Sequence, residues 1–267
     1  MMIKVFIAGA TGWVGTELSK KITQEKGLQL VGGLSRSKGG ADLASILNLG
    51  NGPIPLFDNI TDALDLVDFD VMIDFTKPEI AKSNVIAALK RGKRVVLGTS
   101  GLTDADFKEI AAVADEHHTA ILAAGNFAIT AVILQKFAEI AAKFIPHFEI
   151  IDYASGDKPD APSGTVAELA YRLSKIQTPE LAVAIDDTVG RKDARGASIN
   201  GIQVHSVRLT GHILGVEAIF GEKDETLILR HDAGNGAEPY IKGILMAVNK
   251  LSTFEGLKRG LDTVMDI

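Results

Sequence analysis

The apolar positions of this chain fall into short unbroken runs, divided by glycine-bearing turns and by segments with helical spacing. Ile3 to Ala8 is an apolar run, interrupted only by Lys4, with several β-branched residues, the pattern of a strand buried on both faces. A sharp turn, Gly9-Ala10-Thr11-Gly12-Trp13-Val14-Gly15, follows, and Thr16 to Glu25 reads as a helix with Leu18 and Ile22 on one face. The alternation continues with a strand at Leu28 to Leu34, a short helix at Thr61 to Leu66 and a strand at Asp70 to Thr76. A helix from Lys77-Pro78-Glu79 to Lys90, a strand at Arg94 to Leu97, a helix at Asp104 to His117 and a strand at Ala120 to Ala124 complete it. Residues 39–60 read as a long surface loop with one helical turn at Leu43 to Leu47. Strands and helices alternating this regularly predict a parallel sheet with helices on both faces.

After Asn126 the pattern changes. A long helix, Thr130 to Phe144, leads to a strand at Phe148 to Tyr153 and then to Lys158-Pro159-Asp160-Ala161-Pro162-Ser163-Gly164-Thr165. That run opens a helix whose apolar positions are Val166, Leu169, Ala170, Leu173 and Ile176. Beyond Leu181, the runs Val204 to Leu209, Gly215 to Phe220 and Thr226 to His231, with short glycine turns between them, predict an open mixed or antiparallel sheet. Pro239 to Lys250 reads as a last apolar helix that packs back on the first domain. The expected fold is therefore α/β: a Rossmann-type doubly wound parallel sheet plus a second α+β domain with an open mixed sheet. The expected boundaries are a first domain at 1–127, a second domain at 128–236, and a returning C-terminal helix at 237–267.

Two places carry candidate chemistry. A strand, a glycine turn and a helix in succession let the backbone approach a pyrophosphate at a helix N-terminus, here with G-x-x-G-x-x-G spacing. The strand ending at Leu34 runs into Ser35-Arg36-Ser37-Lys38 with no acidic residue for a ribose hydroxyl. An arginine at that strand end accommodates a 2′-phosphate, so NADPH is the expected cofactor, with NADH also admitted. The second place is the Lys158–Thr165 run. Ser163 is a good N-cap, the amides of Gly164 and Thr165 open the helix, and Lys158 adds positive charge, which together make an anion seat. A well-capped surface helix is the alternative.

Composition narrows the partners. With 267 residues, a net charge of −6 and no cysteine, the chain has a sizeable core and no thiolate metal site or Cys nucleophile. The acidic balance argues against a nucleic-acid partner, the short apolar start reads as neither a signal peptide nor a membrane span, and the lack of cysteine fits a reducing cytoplasm. Six histidines without paired spacing make a metal site an unneeded assumption. His117 and His118 read as solvent-facing helix caps. His205, His212 and His231 read as hydrogen-bonded structural residues beside strands, with His231 the one considered for the substrate.

The motifs Asp74-Phe75-Thr76-Lys77-Pro78-Glu79, Gly98-Thr99-Ser100-Gly101, Asn126-Phe127 and above all Lys158-x-Asp160-Ala161-Pro162-Ser163-Gly164-Thr165 make the chain resemble the 4-hydroxy-tetrahydrodipicolinate (dihydrodipicolinate) reductase family nearly end to end. The resemblance implies NAD(P)H-dependent reduction of a cyclic unsaturated dicarboxylate by a homotetramer, with 1–127 as the dinucleotide-binding domain and 128–236 as the substrate-binding and oligomerisation domain. It implies dinucleotide contacts from Gly9, Ala10, Thr11, Gly12, Trp13, Val14, Ser35, Arg36, Phe75, Gly98, Thr99, Ser100, Gly125, Asn126 and Phe127. It implies substrate contacts from Ser155, Lys158, Ser163, Gly164 and Thr165, with Lys158 as the catalytic candidate. The family's H-H-x-x-K motif reads Ala154-Ser155-Gly156-Asp157-Lys158 here, so the histidine to which proton delivery is attributed is missing. The serine common after Asn-Phe is Ala128, and Asp232 to Ala237 holds no arginine for a substrate carboxylate. Three readings stay open: the pathway reductase with Lys158, Tyr153 or water as proton source, a reductase of another cyclic imine or enoate, and a non-catalytic dinucleotide-binding homologue.

Overall fold

A computed structural model describes residues 2–50 and 52–267. It divides into two compact units, the first spanning Met1–Ala128 and Ala237–Asp266, the second Ile129–Gly236 with Ile267.

The first unit is a seven-stranded, all-parallel sheet. Its strands are β1 (Ile3–Ala8), β2 (Leu28–Leu34), β3 (Leu56–Phe57), β4 (Val71–Asp74), β5 (Arg94–Leu97), β6 (Ala120–Ala123) and, from the far end of the chain, β12 (Gly256–Arg259). They lie in the order β12-β6-β5-β4-β1-β2-β3, so the winding reverses between β1 and β4, the place where doubly wound sheets take ligands. The connecting helices are α1 (Trp13–Ile22), α2 (Leu43–Leu47), α3 (Ile60–Leu66), α4 (Pro78–Lys90) and α5 (Asp104–Glu116). Phe6, Phe69, Met72, Val85, Leu89, Val95 and Ile121 belong to one buried cluster, which is why these strands read as near-continuous apolar runs. The described part of 39–60 holds the edge strand β3 as well as α2, a correction to the single helical turn expected there. The helix expected at Thr16 begins instead at Trp13, inside the glycine motif, because Gly15 packs against the preceding turn.

The second unit is a mixed five-stranded sheet in the order β11-β10-β7-β9-β8, made of β7 (His147–Ala154), β8 (Ala197–Ile199), β9 (Ile202–Arg208), β10 (Leu214–Glu222) and β11 (Glu225–Ala233). β7 pairs parallel with β9 and antiparallel with β10. Helices α6 (Ile129–Ala141) and α7 (Gly164–Ser174) pack on one face, where Leu134, Ala138, Phe148, Ile150, Leu169, Leu173, Val204 and Phe220 form the core. The final helix α8 (Glu238–Lys250) belongs to the first unit. Among the described residues no helix is long and apolar enough to cross a membrane.

Candidate active site

In the first unit the chain leaves β1 at Gly9, whose φ of 88° favours glycine and whose Cβ would lie 2.4 Å from the Phe75 carbonyl oxygen. A Cβ on Gly15 would sit 2.1 Å from the Gly9 carbonyl oxygen, so this glycine sets how closely α1 approaches the turn. Gly12 is the N-cap of α1, its amide bonds the Gly9 carbonyl at 2.9 Å, and no side chain caps the helix. The first-turn amides and the positive end of the helix dipole therefore remain for an anion. Thr11 and Ser35 share a hydroxyl–hydroxyl bond of 2.8 Å that ties the turn to the end of β2, with Ser35 buried. Arg36 is exposed beside it and forms no ion pair among the described residues. Trp13 is 57% exposed and packs edge-on against Tyr240 of α8 at 5.7 Å, and burial raises the Tyr240 hydroxyl pKa.

Across the switch point, the Phe75 ring lies against the Gly98 backbone, where a Cβ would come within 2.2 Å of it. Phe75 and Phe127 approach at 5.9 Å between ring centres, and Phe127 is buried. The Asn126 side chain accepts the Ala128 amide at 2.8 Å, while Ser100 and Gly125 are exposed. Thr99 is bonded to buried Asp74, a residue read from the sequence only as part of a polar strand tip. This cradle of close backbone approaches fits a dinucleotide: Gly9 to Val14 would meet the pyrophosphate, Ser35 and Arg36 one end, and Phe75, Gly98, Thr99, Ser100, Gly125, Asn126 and Phe127 the other.

In the second unit, β7 ends at Ala154 and the loop of residues 155–163, with a cis Ala161–Pro162 bond, leads to α7. Ser163 occupies the N-cap position, but its hydroxyl makes no capping bond, contrary to what the sequence suggested. Its backbone amide is instead held by the buried Asp152 carboxylate at 2.7 Å. Arg208 pairs with the same oxygen at 2.7 Å and also donates to the Asp160 carbonyl at 2.6 Å. Asp152 Oδ1 and Arg208 Nε, both buried, have no hydrogen-bond partner among the described residues. Further bonds from Ser155 N to the Ile213 carbonyl and from Leu209 N to the Ala154 carbonyl, each 3.2 Å, lace this loop to the β9–β10 connection. Asp152 and Arg208 were not foreseen. The signal available was an aspartate on the apolar side of the alternation Phe148, Ile150, Asp152, Ala154.

Lys158 donates to Asp160 at 2.5 Å, and this bond is the main reason the Asp160 carboxyl pKa is lowered. A carboxylate bound at Lys158 would therefore have to compete with Asp160. The Ser155 hydroxyl is committed to the Asp157 carboxylate, whose pKa it lowers. Gly164 opens α7 with nothing close to where a Cβ would stand, and Thr165 follows it. Tyr153 points to the sheet face opposite Asp152, where the Arg230 guanidinium covers its ring at 4.7 Å and the His212 ring lies tilted against it at 5.2 Å between centres. Arg230 is in turn clamped by Asp232 at 2.8 and 3.1 Å and by Glu217 at 3.0 Å. His231 bonds Thr130 at 3.0 Å, and His205 bonds Glu149 at 2.7 Å.

The fold and these two helix N-termini define a two-unit chain of the dinucleotide-binding class. Solved structures with this fold at low identity include an amine dehydrogenase from Mycobacterium smegmatis, with a TM-score of 0.67, 13% identity, and coverage of 96% of this chain and 94% of that one. Residues 3–127 match the family described as dihydrodipicolinate reductase, N-terminus, and residues 130–265 match its C-terminus, so the chain belongs to the dihydrodipicolinate reductase family. The 4-hydroxy-tetrahydrodipicolinate reductase of Desulfitobacterium hafniense is 37% identical over 269 residues, 99% of each chain. That of Bacillus pumilus is 36% identical over 264 residues, 99% of this chain and 98% of the relative. The dipicolinate-bound dihydrodipicolinate reductase of Paenisporosarcina sp. TG-14 superposes with a TM-score of 0.88 at 30% identity, covering 99% of this chain and 100% of that one.

Proposed function

We propose that this chain reduces 4-hydroxy-tetrahydrodipicolinate to tetrahydrodipicolinate in lysine and diaminopimelate biosynthesis, as a cytoplasmic homotetramer that prefers NADPH to NADH. The observation that carries the reading is 37% identity to a reductase of that name over 99% of both chains. The cofactor, when bound, supplies the hydride. Arg36, exposed and without an ion pair among the described residues, supports the preference for a 2′-phosphate over a bare ribose hydroxyl.

The substrate is a dicarboxylate, which suits the α7 N-terminus. Gly164 and Thr165 bring backbone amides to one carboxylate, Lys158 brings its ammonium, and Ser155 and Ser163 line the approach. Reduction leaves negative charge on the ring that a proton must quench. Ala154 has none to give, Ser155 is bound to Asp157, and Tyr153 faces away from Asp152 and is covered by Arg230. Proton delivery falls to Lys158 or to a water that it holds. A second reading, reduction of another cyclic imine or enoate, is favoured by the same Ala154-Ser155 pair, because a changed donor accompanies changed substrate chemistry. Generating the unstable precursor in place with its synthase and following NADPH and NADH oxidation separately tests both. Turnover that is faster with NADPH supports the first reading, and NADPH binding without turnover moves the substrate to the second.

A further inference from the structure

Asp74 is the last residue of β4 and is fully buried. Its Oδ1 accepts the Thr76 amide at 3.0 Å, the Thr76 hydroxyl at 2.7 Å and the Thr99 hydroxyl at 2.7 Å, while Oδ2 accepts the Asn84 amide group at 3.1 Å. The Thr76 amide is shared with the Thr99 hydroxyl at 2.8 Å. One carboxylate thus locks together the loop after β4, the loop after β5 and the buried flank of α4, with four charge-assisted bonds. These loops carry Phe75 and Gly98, whose ring and backbone are already in close contact, and the Phe75 carbonyl backs directly onto Gly9 of the phosphate turn.

The strand order says which part of a dinucleotide these loops meet. With the pyrophosphate at the β1–α1 turn and the adenosine ribose at the end of β2, the nicotinamide half extends over β4 and β5. We propose that Asp74 is a positioning residue that holds the loops after β4 and β5 as the rest for the nicotinamide half of the cofactor. It touches the cofactor through Phe75, Thr76 and Thr99 rather than directly. The inference rests on the dinucleotide reading of the first unit and needs no assumption about the substrate.

The test compares two probes by titration of the whole chain: NADPH, and 2′-phospho-ADP-ribose, which is the same molecule without nicotinamide. Asp74→Ala is expected to weaken NADPH by at least about tenfold and to leave the fragment within about twofold. Asp74→Asn keeps an acceptor for Thr76 and Thr99, and its amide group can donate to a flipped Asn84, so it should retain most of the NADPH affinity. Asn84→Leu removes the Oδ2 partner of Asp74 on the buried flank of α4 without altering a cradle residue, and decides the matter if Asp74→Ala does not fold, with NADPH weakened several-fold and the fragment unaffected. Equal weakening of both probes, or of neither, overturns the assignment of Asp74. Failure of the parent protein to bind either probe overturns the dinucleotide reading itself.

Discussion

Replacing Arg208 with Met removes the guanidinium that joins β9 to the loop of residues 155–163 and strands the Asp152 carboxylate, whose side chain is 1% exposed. Breaking a buried ion pair by deleting one partner costs about 3–5 kcal/mol. Here the lower end applies, because Arg208 keeps 16% exposure and the Ser163 amide still donates to Asp152. With a urea m-value of about 2 kcal/mol/M, a loss of about 3 kcal/mol lowers the unfolding midpoint by about 1.5 M, read by far-UV circular dichroism. The double variant Asp152→Leu/Arg208→Met removes the uncompensated charge and regains most of that stability. It keeps a residual deficit of about 1 kcal/mol, the lower end of the cost of a stranded buried amide, for Ser163. A single-variant loss below about 1 kcal/mol, or a double variant no more stable than the single, would refute the view that this pair anchors the anion seat.

Lys158→Ala should raise the KM for the dicarboxylate and lower kcat while leaving NADPH affinity nearly unchanged, and an unaltered kcat/KM would remove Lys158 from the site. Arg36→Ala should weaken NADPH by roughly 10–100-fold, the worth of a charge-assisted contact, and NADH far less. Equal loss of both cofactors would contradict a 2′-phosphate contact. His231, whose pKa is lowered by burial against the smaller opposing pull of Asp232, prefers to be neutral in the folded chain. Its contribution to stability is present above its unfolded pKa of about 6.5 and is lost as pH falls toward the lower folded value. Thermal unfolding between pH 7.5 and 5.5 should therefore show a gentler loss in His231→Gln than in the parent, and identical slopes would count against it.

Much of the fold was legible because buried strands leave an unmistakable trace. The expected strands Ile3 to Ala8, Leu28 to Leu34 and Arg94 to Leu97 carry the same limits in the structure, since apolar β-branched runs end sharply at glycine or polar turns. Strands β3 and β12 left no such trace. The first has two residues, and the second, Gly256-Leu257-Lys258-Arg259, exists through its pairing with β6, more than 130 residues away in the chain. In the second unit β8 was missed for the same reason, being three residues long and largely exposed. The start of α1 was misread because Gly12 and Gly15 look like turn residues, although Gly15 serves close packing inside a helix.

The candidate site was legible as motifs but not as a network. Sequence spacing marked the motifs at 74–79 and 98–101 and the Lys158–Thr165 run, and left open what holds them. Asp74, Asp152 and Arg208 do that holding through contacts 10 to 56 residues apart, which no local pattern encodes. Two of them still left a hint, because Asp74 closes an otherwise apolar strand and Asp152 sits on the buried face of another. Read as polar groups that must find partners once buried, they point to the loops they brace. The Lys158–Asp160 pair also alters the expectation drawn from sequence, since the lysine is already engaged and a carboxylate bound there would have to displace its partner.

The most direct test of the proposed reaction is the mass of the product formed from synthase-generated precursor when NADPH carries deuterium in place of the transferable hydrogen. The account predicts tetrahydrodipicolinate heavier by one deuterium, formed in step with NADPH oxidation. NADPH oxidation without label in that product, or no such product at all, would contradict it.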